Sequence, residues 1–315
     1  MSTISKNNPK QSHAKEEAEA LIARARSRAK ARRMQKAQQL SARLKPQVDG
    51  SVLIQRFNLG ERVQHFILIF SFTLLGFTGL MQTFSGWLPI TWVVNNLLGG
   101  IDSLRIIHHI AAITFAVQTV LHGLEILNTW FVKREWGSMM PQWSDLTGLI
   151  GMLKYNLGLA KARPHFDRFS IEEKVEYWAL WWGALCMGVT GIIQWYPALV
   201  TSLVPGNVVP MARLIHMLEA ILAVTAIAIW HMYHTVIKER NLSIFTGFMT
   251  VHEMEEAHPV EYRRILAARD FLENLKNAPA TPEPASTEAT VQPEAEVILV
   301  QDEMIRPSNE LVEAQ

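Results

Sequence analysis

The sequence predicts an all-α membrane protein, a four-helix transmembrane bundle with cytoplasmic N- and C-terminal extensions. Three observations carry that prediction. Residues 63–84, 104–127, 177–196 and 211–237 are apolar and long enough to cross a hydrocarbon core of about 30 Å at about 1.5 Å per residue. Lysine and arginine crowd some of the connecting segments and are absent from others. Seven of the 11 histidines (His65, His108, His109, His122, His216, His231 and His234) lie in or at the edges of those apolar runs, where an imidazole without a partner is costly.

Taken in order, residues 12–47 are rich in Ala, Lys, Arg, Glu and Gln and read as a solvated basic helix. It rests on anionic headgroups or docks a partner subunit. Its cations lack interleaved aromatic residues, so no nucleic-acid partner is expected. The first fifty residues contain no apolar run of the kind that opens a secretory signal. Eleven Lys and Arg stand before the first span, from Arg24 to Arg62, and the central loop adds Lys133, Arg134, Lys154, Lys161, Arg163, Arg168 and Lys174. Residues 85–103 and 197–212 have none. Positive flanks stay inside, so both termini and the central loop are expected in the cytoplasm. The formal net charge of +1 hides this pattern because the C-terminal tail is acidic.

The outer segment 85–103, with Trp87, Pro89, Trp92 and a Gly99–Gly100 break, reads as an amphipathic stretch lying in the interface. In the central loop Trp130, Phe131, Trp136, Trp143 and Tyr155 alternate with charges in the same manner. Residues 252–275 alternate acidic and apolar types like a surface helix, and Pro, Ala, Thr and Glu from 277 onward predict disorder. The expected division is a basic extension (1–55), a transmembrane domain (56–240), an amphipathic segment (241–276) and a disordered tail (277–315). No repeat is visible at solenoid periods.

The chemistry lies in the histidines. The single cysteine, Cys186, reads as a small buried hydrophobe. It excludes a cysteine-ligated iron–sulfur cluster, and without CxxCH there is no covalently attached c-type haem. Following the chain through the membrane puts His108 and His216 in an outer layer and His65, His122 and His231 in an inner one. Histidines recurring at two depths suggest axial ligands of buried haem iron. His108 and His122 are 14 residues apart, an ideal offset of about 40° over ~21 Å. His216 and His231, 15 apart, are offset by about 60°, which a kink or wide turn would improve. His109 is rotated ~100° from His108 toward a neighbouring helix or lipid, and His234 reads as interfacial or as part of a quinone pocket. His13, His165, His252 and His258 read as surface residues. His65, His122 and His231 compete for two axial positions. Gly76, Gly79, Gly183, Gly188 and Gly191 leave room for a porphyrin or a close helix. Arg105 and Arg213 stand where haem propionates would end or where they would snorkel. Glu219 lies within the fourth span and needs a partner such as Arg105, or a proton.

The stretch Arg56-Phe-Asn-Leu-Gly-Glu-Arg-Val-Gln-His65, then Thr78-Gly79-Leu80, Ile107-His108, Phe169-Ser-Ile-Glu-Glu-Lys174 before Tyr177-Trp178, His216, and Trp230-His231-Met232-Tyr233 resembles the cytochrome b subunits of membrane-bound formate dehydrogenases and nickel–iron hydrogenases. The resemblance covers roughly residues 56–266. It implies a four-helix cytochrome with two b-type haems, the inner held by His65 and His231 and the outer by His108 and His216. The extra His122 departs from the pattern and offers an alternative inner ligand.

The function expected from these readings is electron transfer between the quinone pool and a redox partner at the outer face of a prokaryotic cytoplasmic membrane. That partner is an iron–sulfur subunit of a dehydrogenase or hydrogenase, or a multihaem cytochrome c. His231, His234 and the loop around Asn156 are the expected walls of the quinone site. The rival readings are a cofactor-free membrane anchor for a redox complex, which would be colourless, and a stand-alone transmembrane reductase, which would be active without partners. A transporter is disfavoured because the spans lack paired broken helices and midplane carboxylates.

Overall fold

A computed structural model describes residues 9–162, 164–238 and 240–277. The predicted tail from 278 onward lies outside the described residues. The chain divides into two compact units, one drawn from residues up to Ile54 and from Thr250 onward, the other from Gln55 to Met249.

In the first unit the basic segment forms one long helix, α1 (Pro9–Ser41), followed by a hairpin of β1 (Leu44–Pro46) and β2 (Val52–Gln55) that pairs Leu44 with Ile54. On the C-terminal side the unit takes up the chain at Thr250, the last residue of β3 (Phe248–Thr250), and continues through α10 (Val251–Ala257) and α11 (Pro259–Asn277). Helices α1 and α11 pack together over buried Ala37, Ile265 and Ala268. Arg33 lies 4.7 Å above the Phe271 ring, and Arg43 pairs with the buried Glu261. A cation over an aromatic face and a largely desolvated ion pair join two otherwise polar helices. His258 is buried here, where the sequence reading placed it on the surface. Its backbone N–H donates to Met254 and its carbonyl accepts from Tyr262, so it fills the corner between two helices.

The second unit holds the apolar helices. α2 (Leu59–Thr83) starts at an Asn58 N-cap whose side chain accepts from Glu61 N–H, while the Glu61 carboxylate accepts from Asn58 N–H. This reciprocal box satisfies two otherwise orphaned donors. α3 (Leu88–Asn96) is the short outer segment, and Gly100, at φ +97°, turns the chain into α4 (Ile101–Phe131). Only glycine adopts that backbone without strain. α5 (Trp143–Asn156) precedes α6 (Ile171–Trp195), which a Ser170–Glu173 box caps as Asn58 and Glu61 cap α2. After α7 (Pro197–Thr201), α8 (Val208–Ala226) runs into π-helical turns at Ile227–His231 and Tyr233–Lys238. A four-residue helix, α9 (Ser243–Thr246), closes the unit.

α2 packs on α4, α6 on α8, α2 on α8, and α4 on α6. Among the described residues three helices are long and apolar enough to cross a membrane: Leu59–Thr83, Ile101–Phe131 and Val208–Lys238. α6 matches α2 in length at 25 residues. It differs from the other three in the two acidic residues of its first turn, Glu172 and Glu173, and in its four tryptophans, Trp178, Trp181, Trp182 and Trp195. Phe70, Phe77, Ile110, Val120, Trp182, Leu218 and Ile229 point outward, a surface suited to lipid rather than water.

Candidate functional site: two facing histidine pairs

The structure brings together two pairs of the histidines singled out above. The His65 and His231 ring centroids lie 6.4 Å apart with the ring planes 38° apart, and those of His108 and His216 lie at the same 6.4 Å with the planes 67° apart. His65 stands in the second turn of α2, opposite the π-helical end of the last apolar helix. His108 and His216 stand near the starts of α4 and α8.

The wide turn anticipated from the 15-residue spacing is present. The Met232 N–H donates to the Ile227 carbonyl five residues back, where an α-helix bonds four back. Each such turn takes up an extra residue, which brings His231 round toward the face that carries His216.

Both rings of the outer pair are oriented by threonines. The Thr78 hydroxyl donates to the Leu74 carbonyl at 2.6 Å, so its oxygen is free to accept from His108 Nδ1–H at 2.8 Å. Thr190 donates to Cys186 at 2.7 Å and accepts from His216 Nδ1–H at 2.9 Å. With Nδ1 protonated in each ring, the Nε2 lone pair is left for a metal or another acid, and the second hydrogen bond fixes tautomer and ring plane. Glycine makes the space. A Cβ built on Gly79 would lie 3.3 Å from His108 Cε1, and one on Gly191 would lie 3.4 Å from His216 Cε1.

The inner pair is held differently. His231 Nδ1 is 2.7 Å from Glu176 Oε2 on α6, so a carboxylate orients it in place of a hydroxyl. His65 Nδ1 is buried and has no hydrogen-bond partner among the described residues. A buried imidazole nitrogen without a partner costs free energy unless something else engages the ring.

His122 is not drawn into either pair. Its Nδ1 is 3.0 Å from Gln64 Oε1 and its Nε2 is 2.9 Å from the Tyr177 hydroxyl. Gln64 turns its amide N–H to Glu125 at 2.7 Å, which leaves its oxygen to accept from His122, so His122 Nε2 accepts the tyrosine proton. Both ring nitrogens are therefore engaged by protein.

The other candidates take up ordinary positions. His109 stacks on Trp195 at 3.9 Å, and His234 stacks on Trp230 at 4.8 Å. Arg105 pairs with Asp102 on its own helix at 3.0 Å, so it is not spent on Glu219. The Glu219 carboxylate reaches α6, where a Cβ on Gly183 would lie 3.0 Å from Oε1. Gly76 serves helix contact, since a Cβ there would meet Val224 Cγ2 at 2.9 Å. Asn156 ends α5 and is exposed. Glu176, Thr78 and Thr190 are the residues that sequence reading did not single out for the site. The helical spacing of Glu176 from Tyr177-Trp178 gave no sign that it would meet a residue 55 positions away.

A helical, lipid-facing unit with two histidine pairs is the arrangement that the resemblance to membrane cytochrome b subunits leads one to expect. No family model matches the chain. It is similar to the formate dehydrogenase cytochrome b556 subunit of Haemophilus influenzae, with 24% identity over 222 residues that cover 70% of this chain and 86% of that protein. The chain thus resembles the cytochrome b subunits along most of its length, as a distant relative.

Proposed function

We propose that the chain is the electron-transfer subunit of a membrane oxidoreductase complex. In this reading it is a four-span cytochrome with two b-type haems that links the quinone pool to a redox partner at the outer face. The observation that carries the reading is the equal 6.4 Å separation of the two facing pairs, His65–His231 and His108–His216. A metal–imidazole bond is about 2 Å and the ring centroid lies ~1 Å beyond the nitrogen, so two rings on opposite sides of one metal put their centroids on the order of 6 Å apart. The orphaned His65 Nδ1 fits the same group, and Gly79 and Gly191 leave the His108 and His216 rings room to stand beside it. Bound haem iron would supply one-electron chemistry, which the chain's own side chains lack.

The protein would contribute position, orientation and dielectric. His65 and His231 would hold the inner haem, with Glu176 raising the basicity of His231; His108 and His216 would hold the outer one, with Thr78 and Thr190 fixing their rings. About 15 residues of helix separate His216 from His231, roughly 20 Å along the axis, so the two sites would lie at different depths. α6 would be the fourth span, its tryptophans sitting at lipid level and its acidic turn at the inner surface. The domain at 56–240 would then sit between a cytoplasmic N-terminal extension (1–55) and a cytoplasmic amphipathic segment (241–276). A quinone would bind beside the inner pair, walled by His231 and His234. The partner, an iron–sulfur or multihaem cytochrome c subunit of a dehydrogenase or hydrogenase complex, would dock at the outer pair. Between sites across the membrane, each electron moved is worth about 2.3 kcal/mol per 100 mV.

The test is pyridine haemochrome quantitation with a reduced-minus-oxidised spectrum on the purified full chain. About two b-type haems per chain is the expected result, as bis-histidine ligation requires. A colourless protein after expression with ample haem supply sinks the proposal and leaves a membrane anchor. Turnover by the isolated chain would instead favour a stand-alone reductase.

A further inference from the structure

The apolar unit contains a repeat that its sparse identities conceal. Residues 56–82 and 168–194 align without a gap at a constant spacing of 112, and nine of 27 positions are identical: Arg56/Arg168, Phe57/Phe169, Glu61/Glu173, Val63/Val175, Leu68/Leu180, Gly76/Gly188, Thr78/Thr190, Gly79/Gly191 and Gln82/Gln194. From Trp87 the spacing becomes 108, pairing Trp87-x-Pro89 with Trp195-x-Pro197 and Arg105-x-Ile-His108 with Arg213-x-Ile-His216. α2 with α4 forms one copy and α6 with α8 the other.

The contacts obey the same exchange. Arg56 of the first copy bonds Glu173 of the second at 3.2 Å, while Arg168 of the second bonds Glu61 of the first at 2.9 Å. Thr78–His108 answers Thr190–His216. Gln82 Nε2 donates to the Thr78 carbonyl as Gln194 Nε2 does to that of Thr190. Phe57 faces its own counterpart Phe169 at 6.4 Å, as His108 faces His216. Reciprocal pairs and self-facing pairs are what a two-fold relation produces.

That relation assigns His122 a place. His122 follows His108 by 14 residues, and His231 follows His216 by 15 with a wide turn between. Gln64 on His122 Nδ1 corresponds to Glu176 on His231 Nδ1, and Tyr177 opposite His122 corresponds to His65 opposite His231. Trp181 stacks on His122 with centroids 5.9 Å apart, and the equivalent position of the first copy is Ile69.

We infer that the membrane domain is two copies of one two-helix unit, and that His122 with Tyr177 is the closed counterpart of the His65–His231 site. Tyr177 and Trp181 decide which of two equivalent inner positions takes a haem. The outer pair lies on the symmetry axis and belongs to both copies, so it has no second version. This assignment rests on the diheme reading, and it makes His122 the unused counterpart of a ligand.

The test uses the full chain in membranes with ample haem, read by haemochrome stoichiometry and by redox titration. Wild type holding no haem would be the failure of the diheme reading. Given about two haems in wild type, His122→Ala is expected to keep both with an unchanged spectrum, and His65→Tyr to drop to one. Loss of a haem in His122→Ala overturns the inference. His122→Gln, which retains hydrogen bonds to both neighbours, carries the same test if the alanine variant does not accumulate. The reciprocal exchange (His65→Tyr, Ile69→Trp, Tyr177→His, Trp181→Ile) is expected to recover the second haem at the mirror position. Its inner midpoint potential should be shifted, because Gln64 replaces Glu176 behind the ligand. An exchange variant that stays at one haem overturns the equivalence of the two sites.

Discussion

Threonine and glutamate play the same part at different sites. Thr78 and Thr190 give the outer rings a neutral acceptor, and Glu176 gives His231 an anionic one. Where the two pairs hold haems as proposed, a carboxylate behind a ligand would stabilise the oxidised metal, so Glu176→Gln is expected to raise the midpoint of the inner site, on the order of 59 mV for each tenfold change in a one-electron equilibrium. Potentiometric titration would show it as a shift of one component only, and a shift of the other component would reverse the assignment of the sites. Thr190→Val keeps the volume but removes the acceptor from His216 Nδ1–H. Loss of such a partner typically costs about 10–100-fold in metal affinity, so this variant should lose its outer haem first during dilution or chelation by apo-myoglobin. Equal loss from both sites would refute the role given to Thr190. His65 Nδ1 has no such partner, and that asymmetry is visible only once the rings are in place.

Helix starts and helix contacts decide whether those rings meet. α2 and α6 each begin with a reciprocal capping box, Asn58–Glu61 and Ser170–Glu173. In each box the glutamate also takes an arginine from the other copy. Asn58→Ala should therefore cost about 1 kcal/mol, the ordinary price of an N-cap, and Glu61→Ala more, because it also leaves Arg168 without its carboxylate partner. Thermal unfolding in detergent, followed by tryptophan fluorescence, would rank them, and equal effects would mean that the inter-copy pair adds nothing. Gly76 stands where α2 meets α8, with Val224 Cγ2 2.9 Å from the position of a Cβ. A leucine there would force the helices apart, and both histidine pairs, each of which has one member on α8 or its extension, should be lost together. The π-helical turns after Ala226 do at the level of an element what residue spacing could not do in an ideal helix.

For the whole molecule, the charge distribution makes a topological prediction. In a Cys186→Ala background, single cysteines at Trp92 and Leu203 should react with a membrane-impermeant maleimide added from outside, and cysteines at Gln38 and Asn277 should react only after lysis. The reverse pattern would invert the orientation read from Lys and Arg. The helical class, the long basic helix, the apolar segments and the histidines that lie in them can be read along the chain, because apolar length and the cost of imidazole in hydrocarbon are local properties. The two-helix repeat was also present there, in Gly-x-Thr-Gly-x-x-Gln at 76–82 and 188–194, but nine identities scattered over a helix do not stand out until their side chains are seen to make matching contacts. The resemblance implied the pairs His65–His231 and His108–His216, but the residues themselves left His65 and His122 as rivals, and tertiary structure decided which of the two faces His231. His65 and His122 are alike in depth and in the type of segment that holds them. Only packing shows that His122 is fastened at both nitrogens by Gln64 and Tyr177, while His65 is turned toward His231. Pairing is a property of helix rotation and neighbour identity, set by contacts between residues 55 to 166 positions apart, and no local periodicity encodes it.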